Sequence, residues 1–235
     1  MRAPARLDVG HAARCLRLAH RGDWRAAPEN SLAALTAAVR IPGCDGVEFD
    51  VQLSRDDVPV LLHDETLARV QGRDARVDAL EAAELDVLGI PTLGEALAML
   101  GPRPSLNVEL KGRTHGDATA AVLRAARGEM GTRAVISSFE PPSLLAMAER
   151  LPGWALWLGA MELSAAAIAQ ARELGCRGVS VDWATITPAS ARAAHAAGLE
   201  VMAWTVRRRA TYARLERLGV VAQCVEAAAL DGDLA

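Results

Sequence analysis

Apolar and polar positions alternate along this chain with two different periods, and the period changes from segment to segment. Short runs with a period of two, or with continuous apolar residues, are typical of strands. Between them lie longer stretches whose apolar residues recur every three or four positions, as on one face of a helix. The predicted strands are CLRLAHRG, GVEFDVQL, VPVLLHD, SLNVELKG, AVISSF, WALWLGA, GVSVDWATI, LEVMAWTV and VVAQCV.

The stretches between the strands carry start and stop signals of helices. Thr187 is a predicted N-cap, Pro188 suits the first helical position, and Gly198 is a stop signal. The predicted helices are one that contains Leu32, Leu35 and Val39, a short piece near Leu80 to Leu85, residues 93–100, 117–127, 141–150 and 164–174, one after Thr187, and residues 208–218.

Regular alternation of strands and helices predicts parallel strands joined by helical crossovers. If the segments around Glu48 and His63 count as one strand plus an extension, about eight strands result, which favours a closed (β/α)₈ TIM barrel with a short insertion after the second strand. A doubly wound open sheet is the alternative, although no G-x-G-x-x-G follows the first strand. Without a linker or repeat, residues 1–235 are expected to form a single domain.

Composition supports a well-packed α/β protein. Hydrophobic residues make up 51% of the 235 positions and charged residues 23%, so the chain has ample material for a core. The formal net charge of −3 gives no footprint for nucleic acid. No apolar run approaches the length of a membrane span, so stable membrane insertion is not expected. The sequence does not indicate an oligomeric state.

Cysteine usage and the amino-terminal residues predict a cytoplasmic protein. Cys15, Cys44, Cys176 and Cys224 are scattered and form no C-x-x-C pair, which is typical of buried thiols, although an even count leaves disulfides possible. The first residues are interrupted by charges and contain no continuous apolar segment of a secretion signal.

Acidic side chains interrupt two of the predicted strands. Glu48 and Asp50 share one strand face, and Glu109 and Lys111 share a face of the later strand SLNVELKG. Adjacent carboxylates repel, and a hard divalent cation with oxygen ligands is a usual way to neutralise them. A solvated sheet face is the more common explanation of an E-x-D pair alone, so the interpretation depends on further convergent residues.

Histidines end two further predicted strands, and both belong to the same predicted barrel rim. His20 precedes Arg21, and His63 follows the run VPVLL. In a TIM barrel the reacting residues gather at the carboxyl ends of the strands. Carboxylates for a cation, two imidazoles for proton transfer, and Arg21 with Lys111 for an anion together form the set that phosphodiester hydrolysis uses.

The chain resembles the glycerophosphodiester phosphodiesterase family in six separated motifs, from about residue 18 to about 206 and more loosely to the end. The motifs are AHRGDWRAAPENS, VEFDVQLSRDDVPVLLHDETL, IPTLGEAL, LNVELK, ISSF and VMAWTV. The resemblance implies a TIM-barrel hydrolase that cleaves glycerophosphodiesters to glycerol 3-phosphate and an alcohol, with Mg²⁺ or Ca²⁺. It implies that Glu48, Asp50 and Glu109 are the metal ligands. It further implies that His20 and His63 form the acid and base pair, and that Arg21 and Lys111 contact the phosphate.

Supporting roles also follow from the resemblance. Glu29 and Asn30 match its P-E-N segment and are expected to order the first loop near the metal site. Trp204 matches a late tryptophan expected to form a wall for the glycerol. From its position, Asp64 is expected to orient His63. Phe139 lies at a predicted strand end, where it and Trp204 either line the substrate pocket or belong to the core.

The chain departs from the family pattern at two late positions. Arg207 stands where the family usually has Asn after WTV, and Glu226 ends a run that is usually Gly-Ile-x-Thr-Asp-like. These departures concern the head group of the substrate more than the chemistry. The short connection between the His63 and Glu109 strands resembles the compact intracellular members. We expect no catalytic role for His11, His115 or His195.

Several alternatives stay open at this point. A phosphodiesterase of the same barrel type that acts on lysophospholipid or inositol-phosphate head groups would keep all the motifs. From another class, a catalytically silent phosphate-binding module would keep the anion site. The sequence also leaves open which histidine is the base, and whether water or a substrate hydroxyl attacks phosphorus.

Overall fold

A single continuous sheet organises the computed structural model, which describes residues 14–231. Within that range the strands are β1 (Leu16–His20), β2 (Gly46–Leu53), β3 (Pro59–Leu61), β4 (Ser105–Leu110), β5 (Ala134–Ser138), β6 (Ala155–Ala160), β7 (Gly178–Asp182), β8 (Glu200–Val206) and β9 (Ala222–Val225).

The sheet closes into a barrel because β1 has parallel neighbours on both sides. It pairs with β2 through Leu18 and Gly46, and with β9 through Leu16 and Ala222. The remaining pairs run β2–β4–β5–β6–β7–β8–β9, all parallel, so eight strands form a closed ring. The predicted (β/α)₈ barrel is confirmed, and the open doubly wound sheet is excluded.

Strand β3 lies outside the ring and begins the predicted insertion. It pairs antiparallel with the end of β2, where Val51 faces Leu61. The segment that follows packs over its own small apolar cluster, which includes Val60, Leu67 and Leu85. This cluster holds the end of β3 in place, and His63 follows two residues later.

Helices cover the outside of the barrel between successive strands. They are α1 (Leu32–Ala38), α2 (Ala68–Gln71), α3 (Ala82–Val87), α4 (Leu93–Leu100), α5 (Asp117–Arg127), α6 (Pro141–Arg150), α7 (Ala165–Glu173), α8 (Pro188–Ala196), α9 (Arg209–Arg217) and α10 (Ala227–Leu230). The predicted cap of α8 is present, because the Thr187 hydroxyl accepts the Ser190 N–H at 3.1 Å. Ser31 caps α1 in the same way through Ala34.

The sequence prediction differs from the structure in three segments. The strand expected over 178–186 ends at Asp182, because the Asp182 carboxylate accepts the Ala184 N–H at 2.8 Å and starts a 3₁₀ turn over Trp183–Thr185. The short helix expected near Leu80 begins later, after Glu81, whose capping box with Glu84 fixes the start. The four-residue helices α2 and α10 were not expected, since so short a helix shows no apolar period.

Two apolar layers give the barrel its core. The larger layer lies between the strands and the surrounding helices. A smaller one fills the barrel interior and includes Leu18, Val135, Met202 and the fully buried Trp157. Because this inner plug is apolar, the charged inward-facing side chains of β2 and β4 lie above it, towards the carboxyl ends of the strands.

The structure bears on the predictions about the chain ends, membrane insertion and the cysteines to different extents. His11 and much of the amino-terminal stretch lie outside the described residues, and the predicted domain 1–235 extends beyond them at both ends. No helix within residues 14–231 is long and apolar enough to cross a membrane. All four cysteines are free thiols, so the disulfides that the even count left open are absent.

His115 is buried in the loop between β4 and α5 and is neutral there. Its Nε2–H donates to the Lys111 carbonyl at 3.1 Å, and its Nδ1 accepts from the Thr119 hydroxyl at 3.0 Å. Burial lowers its pKa to about 4. The unfolded chain therefore takes up a proton near pH 6.5, well before the folded chain does. The stability that the neutral ring contributes is complete above pH 6.5 and is lost as the pH falls towards 4.

We expect His115→Gln to weaken the pH dependence of stability. When the pH is lowered from 7.5 to 4.5, the free energy of unfolding of the wild type should fall by about 2 kcal/mol more than that of the variant. Urea unfolding at a series of pH values measures this difference. The exposed His195→Gln is the matched control and should show a constant difference. A constant difference for His115→Gln as well would contradict the neutral buried ring.

Candidate active site

A cavity of about 380 Å³ opens at the carboxyl ends of the barrel strands. Eight of the residues singled out from the sequence line it: His20, Arg21, Glu48, His63, Glu109, Lys111, Phe139 and Trp204. Asp50, Asn30, Glu29 and Asp64 lie directly behind them and contact lining residues or one another. The barrel thus brings together side chains that are far apart in the chain, and none of the predicted set lies elsewhere.

Three carboxylates meet at the edge formed by β2 and β4. Asp50 lies opposite Glu109 in the parallel register, and Glu48 precedes Asp50 on the same inward face. One carboxylate oxygen of each lies within 4.8 Å of the other two. Glu48 and Asp50 are each 1% exposed. The three acidic residues therefore converge as the sequence predicted.

Packing three carboxylates together in a buried place shifts their protonation. Burial, followed by the charges of Asp50 and Glu109, raises the pKa of Glu48 well above its ordinary value. Burial and the charge of Asp50 raise the pKa of Glu109 as well. Oε1 of Glu48 is buried and has no hydrogen-bond partner within residues 14–231. An oxygen donor set with an unmatched buried oxygen fits a hard divalent cation.

Arg21 and Lys111 flank the acidic cluster from two sides. Nε of Arg21 lies 3.0 Å from Asp50 Oδ2, and Nζ of Lys111 lies 3.4 Å from Asp50 Oδ1. Lys111 also forms an ion pair with Glu109. Burial by itself would raise the pKa of Asp50, but the charges of Arg21 and Lys111 outweigh it and lower that pKa. Asp50 is thus the carboxylate of the cluster that the surrounding cations keep ionised.

The loop after β1 is folded tightly around the acidic cluster. Arg21 has φ of 58°, in the left-handed region, and its N–H donates to the Glu48 carbonyl at 2.8 Å. At Gly22 a Cβ would lie 2.6 Å from the Ala34 backbone, so this close approach requires glycine. Asn30, which is 2% exposed, donates from Nδ2 to Asp50 at 2.9 Å. The predicted role of Asn30 in ordering this loop agrees with these contacts.

His20 is held through its Nδ1 by a carboxylate that the sequence did not assign to the site. Nδ1 of His20 lies 2.6 Å from Oε1 of Glu226, the residue after β9. The other oxygen of Glu226 accepts from Nε of Arg207 at 2.7 Å. Burial opposes ionisation of Glu226, but the hydrogen bond from His20 and the charges of His20 and Arg207 lower its pKa overall. An ionised carboxylate at Nδ1 leaves Nε2 of His20 for other partners.

His63 is held in a similar way. Its Nδ1 lies 2.6 Å from Asp64 Oδ1, and Arg69 donates from Nε to Asp64 Oδ2 at 2.6 Å. The Arg69 hydrogen bond is the main reason that the pKa of Asp64 falls to about 2. Arg69 also donates to Glu29, which accepts from Arg21. This chain of ion pairs links His63 to the residues around Asp50.

One wall of the cavity is apolar. Phe139 and Trp204 meet edge to face with ring centroids 5.8 Å apart. Gly159 makes room for them, because a Cβ there would lie 2.6 Å from the Phe139 ring. Met161 continues this wall and is 63% exposed. Of the two sequence interpretations of Phe139 and Trp204, a place on the cavity wall is the one that matches the structure.

Some residues of the site carried no recognisable signal in the sequence. Arg69 belongs to a polar connection, and Met161 follows a strand among exposed residues. Gln52 is buried at the end of β2, where it donates to the His63 carbonyl at 3.1 Å. Arg207 and Glu226 were noticed, but only as departures from a family pattern. Their contacts join segments that are distant in the chain, which a local pattern cannot reveal.

An eight-stranded parallel barrel with such a rim belongs to the class of TIM-barrel enzymes. The rim carries a carboxylate cluster, two carboxylate-held histidines and two flanking cations. Residues 20–228 match the model of the Glycerophosphoryl diester phosphodiesterase family, and this chain therefore belongs to that family. The family and the enzyme class expected from the sequence are confirmed.

Curated relatives support this membership over different lengths. The chain is 33% identical over 231 residues to "Probable glycerophosphodiester phosphodiesterase 2" of Mycobacterium tuberculosis, covering 87% of this chain and 84% of that protein. It is 36% identical over 108 residues to "Glycerophosphodiester phosphodiesterase" of Caldanaerobacter subterraneus, covering 40% of this chain. That second match spans 44% of the relative's length, less than half of it.

Solved structures share the fold over nearly the whole chain. A phosphodiesterase of Oleispira antarctica, in complex with the product sn-glycerol-3-phosphate, has a TM-score of 0.79 and 27% identity, covering 90% of this chain and 93% of that one. A glycerophosphodiester phosphodiesterase of Thermotoga maritima has a TM-score of 0.76 and 24% identity, covering 94% and 97%. The second similarity concerns the fold alone.

We expect Glu48→Gln to stabilise the protein in excess chelator. Replacing the carboxyl group whose ionisation is opposed by burial and by its neighbours with a neutral amide should raise the midpoint of thermal unfolding by about 2–4 °C, the shift expected for relief of about 1 kcal/mol in a chain of this size. Added Mg²⁺ or Ca²⁺ should raise the wild-type midpoint and have a smaller effect on the variant.

Calorimetry or dye-monitored melting measures both shifts. Glu173→Gln, an exposed charge removal on α7, is the control and should behave like the wild type. A variant that melts below the wild type in chelator, and that responds equally to the cation, would contradict the proposed repulsion within the cluster.

Proposed function

We propose that this protein hydrolyses glycerophosphodiesters to sn-glycerol 3-phosphate and an alcohol, with Mg²⁺ or Ca²⁺ as its cofactor. The observation that carries the proposal is that the acidic cluster and both histidines line one cavity together with Arg21 and Lys111. Membership of the family supports it. The sn-glycerol-3-phosphate in the Oleispira antarctica phosphodiesterase supports the same product for this chain.

Glu48, Asp50 and Glu109 would hold the divalent cation. Bound there, it would supply Lewis-acid stabilisation of the negative charge that develops on the phosphoryl oxygens. When all three carboxylates are ionised, they and the two cations Arg21 and Lys111 together carry one net negative charge. A bound divalent cation would change this to one net positive charge. A phosphodiester carries one negative charge, so this balance favours a monoanionic substrate.

Arg21 and Lys111 would contact the phosphate besides neutralising Asp50. Both side chains line the cavity, and each carries hydrogen-bond donors beyond those used by the carboxylates. Burial opposes the charge of Lys111, but Asp50 and Glu109 raise its pKa, so the side chain stays cationic. Two fixed cations next to the phosphoryl oxygens stabilise a transition state that carries more negative charge than the substrate.

His20 and His63 would transfer the protons. In each ring an ionised carboxylate accepts from Nδ1–H, which leaves Nε2 as the nitrogen that faces the reaction. One imidazole removes the proton of the attacking hydroxyl or water, and the other donates a proton to the departing alkoxide. Asp64 and Glu226 orient the two rings and stabilise the protonated form when it arises.

The apolar wall would bind the carbon face of the substrate. The edges of Phe139 and Trp204 offer a surface for the methylene and methine groups of glycerol, while its hydroxyls face the polar side of the cavity. The wall continues to Met161, which lines the cavity and is largely exposed. We also propose that the chain acts in the cytoplasm as one domain. The four free thiols support the compartment, and the closed barrel of the described residues supports the single domain.

We expect excess chelator to abolish release of glycerol 3-phosphate from glycerophosphocholine. The rate should fall by at least about 100-fold, because the carboxylate cluster without a cation repels the substrate. Mg²⁺ or Ca²⁺ should restore the rate in the wild type but not in Glu109→Gln. Enzymatic determination of glycerol 3-phosphate measures the reaction.

The same assay should include lysophosphatidylcholine and glycerophosphoinositol as competing substrates. A preference for lysophosphatidylcholine, or release of inositol phosphate instead of glycerol 3-phosphate from glycerophosphoinositol, would replace the proposed reaction with that of a related phosphodiesterase. Full turnover in chelator would argue against the metal, and no turnover of any diester with any cation would identify a silent binding module.

We expect His20→Ala and His63→Ala each to lower kcat by about 10²- to 10⁴-fold, because each removes one proton-transfer group. The wild-type dependence of kcat/KM on pH should be bell-shaped, since one ring must be neutral and the other protonated. Stopped assays of purified variants measure the rates. His195→Ala on α8 should be fully active. Near-normal rates in both His20→Ala and His63→Ala would remove the acid and base assignment.

A further inference from the structure

Arg207 is a charged residue near the rim that the proposed mechanism does not use. It follows β8, its side chain is 62% exposed, and it does not line the cavity. Within residues 14–231, Glu226 is the partner of its guanidinium, at 2.7 Å from Nε. Glu226 is 6% exposed and also accepts from Nδ1 of His20 at 2.6 Å. A single buried carboxylate therefore connects an exposed arginine to a cavity histidine.

Both ends of this connection are anchored by the backbone. The Glu226 N–H donates to the Val206 carbonyl at 2.9 Å, and the Ala229 N–H donates to the Arg207 carbonyl at 3.2 Å. These bonds keep the end of β8 beside the start of α10. The carboxyl group of Glu226 is then fixed by its two side-chain partners, one on each oxygen. If Arg207 is removed, one oxygen loses its partner and the carboxyl plane gains freedom to rotate.

The same arrangement occurs at the other histidine. His63, Asp64 and Arg69 repeat the order of imidazole Nδ1, carboxylate and arginine Nε, with both distances 2.6 Å. Arg69 is additionally held by Glu29, whereas Arg207 has no second anchor in the described part of the chain. Two histidines in one cavity thus share one mode of support, which indicates that the arginine belongs to that support and is not an incidental surface charge.

Loss of Arg207 should affect the orientation of His20 much more than the stability of the fold. A largely exposed arginine contributes little to folding through an ion pair, because water and salt screen its charge. The orientation of a catalytic ring is far more sensitive, since outer contacts of this kind commonly change activity by 10- to 100-fold. An effect of Arg207 is therefore expected in the rate and not in the unfolding temperature.

We propose that Arg207 is a positioning residue for His20 and acts through Glu226. The inference rests on the proposed proton-transfer role of His20. Because Arg207 does not line the cavity, its loss should leave substrate binding unchanged and disturb the step in which His20 takes part. Arg207, which stands where the family usually has Asn, then supports the orientation of the His20 ring rather than recognition of the head group.

A double-mutant cycle tests the path of the effect. Arg207→Ala should lower kcat for glycerophosphocholine about tenfold with KM unchanged. Glu226→Gln should lower kcat at least as much. In the Glu226→Gln background, Arg207→Ala should cause no further loss, because the carboxylate that transmits its effect is gone. Independent losses that multiply in the double variant would overturn the inference, as would a rise in KM with kcat unchanged.

Arg208→Ala is the matched control. Arg208 is the exposed neighbour of Arg207, and its side chain has no ion pair with residues 14–231, so the variant removes one rim charge without touching Glu226. It should keep the wild-type kcat and KM. Equal losses in Arg207→Ala and Arg208→Ala would show a general charge effect and refute positioning. Thermal midpoints of Arg207→Ala and Arg208→Ala, measured in parallel, should agree with the wild type within about 2 °C, the shift of a sub-kcal/mol change.

His20→Ala in the same assay separates this inference from the proposed function. If His20→Ala is inactive while Arg207→Ala has wild-type kinetics, the inference fails and the proposed function stands. If His20→Ala retains a near-normal rate, the proposed role of His20 fails, and the inference fails with it. Should Glu226→Gln prove unstable, the comparison of kcat and KM between Arg207→Ala and Arg208→Ala still decides between positioning and a charge effect.

Discussion

Repulsion among the buried carboxylates of Glu48, Asp50 and Glu109 is the constraint around which the rim is built. Two of the three are almost completely buried, and burial together with the neighbouring charges raises the pKa of Glu48. Arg21 and Lys111 contact Asp50 from two sides and offset part of this cost. The remaining repulsion opposes folding, which is the usual balance between stability and activity at a functional site.

The rest of the barrel supplies the rigidity that such a cluster needs. An apolar plug that includes the fully buried Trp157 fills the interior below the carboxylates. Above it, each histidine is held by a carboxylate, and each carboxylate by an arginine. Polar contacts thus hold the carboxylate and histidine side of the cavity, while the close-packed apolar layer beneath limits movement of the strands that carry it.

Local patterns in the sequence predicted most of the elements, because each depends on residues close in the chain. The bounds of α5 and α6 agree with the expected ranges, and Thr187 makes the predicted capping contact. The strand around Val181 was predicted too long, because the side chain of Asp182 competes for the backbone N–H of Ala184. The period of apolar residues carries no information about such a competing hydrogen bond.

The sequence by itself determined the strand faces, and therefore that Glu48 and Asp50 point the same way and that Glu109 and Lys111 do so on another strand. Its motifs also identified the family. Only the tertiary structure decided which distant groups meet. His20 and Glu226 are 206 positions apart, and their contact exists because β1 pairs with β9 when the barrel closes. Periodicity fixes the direction of a side chain relative to its own strand, whereas its partner depends on strand order and register, which are properties of the closed sheet.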